Sequence, residues 1–239
     1  MPRAAISATS KPDRPPESRV KRKGLSVLLL LFGAILNAQS SERQPVNSTQ
    51  LMAWLMAGVP GNRLVRIVQE RGIANVPGKE LMHQLEAAGA DANLIHALKS
   101  LKRSAPADSS TSEIPATQIP AALVQAATNA RSQRFHEAEL ALRQALLADP
   151  QNAALHFALG TMLRQQELWD DAIDEITLSA QLMPDFPENH SSLAYIFYRL
   201  DDPSDSIAEA RTALSMDPQN AEAYQFLGLA FFSDGQYGA

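Results

Sequence analysis

The sequence predicts an all-α protein: an α-solenoid of helical hairpins in the C-terminal half, preceded by a small helical module and a flexible linker. Three observations carry that prediction. Pro150, Pro184 and Pro218 recur every 34 residues, and a fixed period of this length marks a repeat array. The stretch LADPQNAALHFALG (147–160) is rewritten as SMDPQNAEAYQFLG (215–228), two periods later. Across residues 46–102, apolar residues fall at helical spacing between glycines.

Within the array, other positions keep the same phase. Small residues recur at Ala126, Gly160, Ala194 and Gly228, and again at Ala138, Ala172 and Ser206. Large apolar residues flank them: Leu159, Leu193 and Leu227 before the first small position, and Leu163, Phe197 and Phe231 after it. Leu142 and Ile176 sit in the second half of the period. Two antiparallel helices approach closely only where one side chain is small, and large neighbours then fill the groove. The proline follows the second helix and forces the residue before it out of the helical region. Asn152 and Asn220 are placed to cap the next helix. Phe135, Trp169 and Tyr237 mark the turn inside each hairpin.

The segments RFHEAELALRQALLADP (134–150), LHFALGTMLRQQELWDDAIDEITLSAQLMP (155–184) and YQFLGLAFFSDGQY (224–237) resemble the tetratricopeptide repeat family. The resemblance spans residues 119–239, with full repeats at 119–152, 153–186 and 187–220 and a truncated fourth at 221–239. Polar Gln125 and Asn129 depart from the usual pattern in the first repeat, and Pro203 with Ser206 predicts a distorted turn in the third. The sequence stops just after the fourth turn, so Leu227, Phe231 and Phe232 are expected to be partly unpaired. A truncated reading frame accounts for this, and so does self-association in which another chain completes the repeat.

The resemblance implies a non-catalytic scaffold whose concave face, lined by the first helix of each hairpin, holds an extended peptide or a partner helix. Carried onto this chain, the groove positions are Phe157, Thr161 and Arg164, then Ser191, Tyr195 and Tyr198, then Gln225, Leu229 and Phe232. Aromatic residues and arginine are enriched at binding hot spots, so the partner-binding candidates are Phe157, Arg164, Tyr195, Tyr198, Gln225 and Phe232. The alternative for Tyr195 and Tyr198 is packing between repeats. The family's carboxylate clamp requires Lys and Asn where this chain has Leu123 and Ala127, so that subfamily does not fit.

Residues 46–102 read as four short helices forming two hairpins packed face to face, with Gly58, Gly72, Gly78 and Gly89 at helix ends. AGVPGNRLVRI (57–67) and AGADANLIHAL (88–98) echo each other. The stretch loosely resembles a small helical module found beside tetratricopeptide arrays in exported bacterial proteins. Arg63, Arg66 and Arg71 sit on one candidate recognition helix, 61–71, but at this spacing a solvated face accounts for them better than DNA binding. Residues 103–118 are rich in Ser, Thr, Pro and Ala, the composition of a flexible linker.

Residues 1–38 read as a leader and signal peptide. Arg19, Lys21, Arg22 and Lys23 precede the apolar run from Leu25 to Leu36, and Ala38 offers a cleavage point. A helix of twelve residues rises about 18 Å, short of the roughly 30 Å hydrocarbon core. Export to the periplasm or the medium is therefore expected, with an uncleaved inner-membrane anchor as the alternative and the only route to membrane contact.

Charge and composition narrow the function. The net charge of −5 conceals +5 in residues 1–38, +2 in 39–102 and −11 in 118–239. An acidic array argues against nucleic acid as a partner. The absence of cysteine excludes disulfides, thiol catalysis and cysteine-held zinc. No catalytic or phosphate-binding motif is found, so no enzyme activity, cofactor or small-molecule substrate is expected. His156 and His190 are one period apart; packing outweighs a metal site because no third ligand is evident. The acidic run DDAIDE (170–175) reads as a solvated face, and Asn47 and Asn189 fit the glycosylation pattern. The function expected is a cell-envelope or secreted interaction scaffold. The alternative is a regulatory or targeting fragment of a larger enzyme or secretion assembly.

Overall fold

Eleven helices make up the described part of the chain, which in this computed structural model comprises residues 45–74, 78–104 and 121–235. The leader and signal segment, residues 105–118 of the linker and the turn residue Tyr237 lie outside it.

The first four helices are α1 (Ser48–Met56), α2 (Gly61–Arg71), α3 (Lys79–Ala88) and α4 (Ala92–Ser104). A capping box opens α1: the Gln50 N–H donates to Asn47 Oδ1 at 2.8 Å, and the Asn47 N–H donates to Gln50 Oε1 at 3.0 Å. Gly72 and Gly89 stop α2 and α3 at φ of 74° and 109°, a region that strains any residue with a Cβ. Gly78, expected at a helix end, instead starts α3 as its N-cap. A parallel bridge joins Val46 to Ile73, with the Val46 N–H donating to the Gly72 carbonyl at 3.1 Å. Among these four helices, the hairpins clasp one another rather than closing on themselves: α1 packs more on α3 than on α2, and α2 packs on α4.

Seven further helices stack in chain order: α5 (Ala121–Arg131), α6 (Phe135–Ala148), α7 (Ala153–Gln165), α8 (Trp169–Leu182), α9 (Pro187–Arg199), α10 (Pro203–Met216) and α11 (Ala221–Ser233). They form three hairpins and the first helix of a fourth. Asn152 and Asn220 cap α7 and α11 by accepting from the Leu155 and Ala223 N–H groups at 3.2 and 2.9 Å. The hairpin turns are copies of one another. Gln133, Glu167 and Asp201 adopt φ of 57°, 60° and 58°. The next N–H in each case, from Arg134, Leu168 and Asp202, donates five residues back to the carbonyls of Asn129, Leu163 and Phe197.

The third turn is therefore regular, contrary to the expected distortion. Pro203 is the first residue of α10, where the missing N–H would have had no helical partner. The Ser206 hydroxyl donates to the Ala194 carbonyl at 2.9 Å, tying α10 to α9. The polar pair in the first repeat also finds partners, with Gln125 Nε2 donating to Asn129 Oδ1 at 3.3 Å. Inside the second repeat, α7 and α8 approach so closely that a Cβ on Gly160 would lie 2.5 Å from Ile176 Cγ1 and 3.2 Å from the Ala172 carbonyl oxygen.

The apolar core is continuous from the first four helices into the array. Leu51, Met52 and Trp54 of α1 are fully buried, together with Leu123 of α5 and Leu155 and Leu159 of α7. Helix α1 packs on α5 and α7, and α3 packs on α5. A smaller cluster, Ala194, Ala210 and Phe226, joins the third hairpin to α11.

Candidate functional site

The first helices of the hairpins, α5, α7, α9 and α11, are the ones the resemblance assigns to the concave face. The chain's own N-terminal helices cover part of that face, and two kinds of contact hold them there. The first is an aromatic stack. Trp54 of α1 lies parallel to Phe186 with ring centroids 5.2 Å apart, and Phe157 of α7 meets the same ring edge-on at 5.2 Å. Offset-parallel and edge-on arrangements both suit the aromatic quadrupole.

The second is ionic. The residues Arg63, Arg66 and Arg71 come from one side of α2. Arg63 Nε donates to Glu188 Oε1 at 2.7 Å and lies 3.7 Å from Asp217 Oδ2. Arg66 Nη2 donates to the same Asp217 oxygen at 2.8 Å, and its Nη1 donates to Gln219 Oε1 at 2.7 Å. Arg71 Nη2 donates to Asp185 Oδ2 at 2.7 Å. These arginines are thus neither a solvated face nor set out toward DNA; they bind the acidic array. Glu188 and Asp217 are buried. Burial pushes the Glu188 carboxyl above its ordinary value and the neighbouring Asp217 charge adds to this, while the Arg63 guanidinium pulls the other way.

Beyond the aromatic stack a cleft of about 540 Å³ remains between the start of α2 and helices α7, α9 and α11. Phe157, Arg164, Glu222 and Gln225 line it together with Pro60 and Asn62. Arg164 Nη1 donates to Glu222 Oε1 at 3.1 Å, and its guanidinium carbon sits 4.7 Å from the centre of the Tyr195 ring. The other Glu222 oxygen accepts from the Ser191 hydroxyl at 3.2 Å. This run of contacts joins the second, third and fourth repeats.

The six residues expected to bind a partner therefore divide. Phe157 also borders the cleft but is only 3% exposed, with Phe186 edge-on against it, so it offers the cleft little surface. Arg164 and Gln225 line the cleft. Tyr195 and Tyr198 are half-buried and both pack on Phe226, which is the inter-repeat packing weighed as their alternative. The Tyr195 hydroxyl also accepts from Arg199 Nη1 at 2.7 Å. Phe232 is 67% exposed at the end of α11. Of its neighbours expected to be partly unpaired, Leu227 packs near Phe226, and Phe231 lies 5.5 Å beneath the Arg211 guanidinium.

The paired histidines are braces between helices. His156 Nδ1 lies 2.6 Å from Glu175 Oε2 and His190 Nδ1 lies 2.7 Å from Glu209 Oε2, the same contact one period apart. Glu175 thus leaves the solvated set; Asp170, Asp171 and Asp174 remain exposed. Asn189 is fully buried in α9 and donates to the Met183 carbonyl at 3.4 Å, so it is no surface glycosylation site in the folded chain.

Sequence reasoning missed Trp54, Phe186, Glu188 and Asp217 as parts of this face. The charge contrast between residues 39–102 and 118–239 was the available signal, since opposite charges on neighbouring segments favour their association.

Two-helix repeats stacked in chain order define a helical-repeat protein. A family model for the tetratricopeptide repeat matches residues 123–185 and 192–239, which supports reading these hairpins as tetratricopeptide repeats, a type of repeat that suggests a protein-interaction module. Comparison with curated proteins finds no match.

Proposed function

We propose that this protein is a non-catalytic interaction scaffold of the cell envelope or secreted fraction, binding a protein or peptide partner on the first-helix face of its repeats. The observation that carries the reading is the cleft beside Arg164, Glu222 and Gln225. It is the stretch of that face that α1 leaves open, and its wall offers a cation, a carboxylate and an amide to a partner backbone or polar side chains. Arg164 adds a hot-spot residue type in a partly desolvated setting, at 13% side-chain exposure. The basic cluster and apolar run of the first 38 residues support export.

The test is affinity capture from envelope and cytoplasmic fractions, using the full chain and its Arg164→Ala and Gln225→Arg variants. A partner captured from the envelope by the wild type and lost with both variants is the expected result. Variants that retain every captured partner would dispose of the cleft assignment. Recovery of the tagged native chain only from the cytoplasm would dispose of export.

A further inference from the structure

The contact between residues 46–104 and the array has the composition of a bound ligand rather than of the helix pairing inside a hairpin. Within a hairpin of the array, the two helices meet through small residues set against large aliphatic ones, as at Gly160 and Ile176. Helices α1 and α2 instead present one aromatic anchor, Trp54, and three arginines to a face that offers Phe157, Phe186, Asp185, Glu188 and Asp217. An aromatic anchor with arginines reaching desolvated carboxylates is the make-up of a binding hot spot. The charges match as well, +2 on residues 39–102 against −11 on 118–239.

We infer that α1 and α2 are a resident ligand of the repeat array, and that the outside partner of this face is a basic amphipathic helix carrying an aromatic anchor, which competes with them. The inference deepens the function proposed above and rests on it for the existence of an outside partner. The geometry supports release of α2 in particular. Its ends are glycine-bearing turns, Gly58 at φ 82° and Gly72 at φ 74°, and Arg63, Arg66 and Arg71 bind it to the array through exchangeable polar bonds. A second cavity of about 290 Å³ lies between α2 and the segment from Asp185 to Pro187. The α2 side of the contact is therefore ionic and loosely filled, whereas α1 is buried. Tethering raises the local concentration of the resident segment, so a free helix of the same composition binds the intact protein weakly.

The experiment uses the full chain and a fluorescent synthetic peptide of residues 45–74. The peptide is titrated against the wild type, the charge-reversed Arg63→Glu/Arg66→Glu/Arg71→Glu variant, and the milder Arg63→Gln/Arg66→Gln variant. Hydrogen exchange is followed on all three. Peptide affinity should rise by about tenfold or more in the variants, with faster exchange in α1 and α2 and unchanged protection in α7–α10. Adding Glu188→Gln and Asp217→Asn to the milder variant should remove the gain. Equal peptide affinity in wild type and both variants would overturn the inference. So would loss of α7–α10 protection together with α1 and α2 in the milder variant, because the N-terminal helices would then be one cooperative unit with the array. Neither outcome bears on partner capture by the wild type, so this inference and the underlying function fail separately.

Discussion

The seams inside the hairpins and the seam between α1–α2 and the array bury apolar surface by different means. Hairpin seams are repetitive, and their precision comes from absent side chains: Gly160, Ala172 and Ala194 let backbones come together. The other seam is made once, from an aromatic stack and a row of ion pairs, by residues far apart in sequence. The Gly160 seam inside a hairpin is stabilised chiefly by packing. The α2 seam adds charge pairs that are partly exposed, as at Arg66 with 33% side-chain exposure, and these weaken as ionic strength rises. The first type builds a scaffold, and the second is suited to recognition.

The largest expected effect is at the centre of the second seam. Trp54→Ala should destabilise the chain by about 3–5 kcal/mol, read from urea unfolding. Trp54→Phe should cost much less than the alanine variant, because it keeps a ring against Phe186 and removes an indole N–H that is buried without a hydrogen-bond partner. Equal losses in the two variants would show that the stack contributes little.

Next comes the hairpin seam, where two equivalent glycines give opposite expectations. Gly160→Ala forces Ile176 and α8 away and should cost about 1–3 kcal/mol. At Gly228 a Cβ meets nothing within 4 Å among the described residues. Gly228→Ala should therefore stabilise by roughly 0.5–1 kcal/mol through helix propensity. Matching signs in thermal unfolding would contradict the packing described for α7 and α8.

A smaller gain is expected at the hairpin turn. Gln133 is an exposed residue with a side chain held at φ 57°. Relief of left-handed strain by Gln133→Gly should outweigh the added freedom of the unfolded chain, raising stability by about 0.5 kcal/mol. An unchanged or lower melting temperature would show that the turn carries no strain.

The subtlest effect is a pH dependence. Glu188 binds its proton more tightly in the folded state, chiefly because it is buried. Its contribution to stability is therefore fully present below the ordinary glutamate value of about 4.3 and is lost as the pH rises through the higher folded value. Stability of the wild type should fall more steeply than that of Glu188→Gln as pH climbs through that window. Identical slopes would show that Arg63 compensates the burial of Glu188 completely.

The sequence made the array legible because its pattern is periodic. Prolines, small residues and caps each repeat in phase, so each supports the others. The left-handed turn residues share that period but not a residue type: Gln133, Glu167 and Asp201 carry no common chemical signal, and only Gly235, in phase with them, hints at the conformation. The covering of the first-helix face was not legible, because Trp54 and Phe186 lie far apart in a pairing that occurs once and has no period to reveal it. For the same reason the family pattern, which places Phe157 at the groove, does not reveal that Phe186 leaves it almost no exposed surface there.

The central claim is that α1 and α2 sit on the first-helix face in the native chain. Because the sequence contains no cysteine, spin labels can be placed cleanly at Asn62→Cys on α2 and Gln225→Cys on α11, which both line the cleft. Dipolar distance measurement on the doubly labelled full chain should give one narrow, short-distance population at low salt. A broad or long-distance distribution under those conditions would contradict the account.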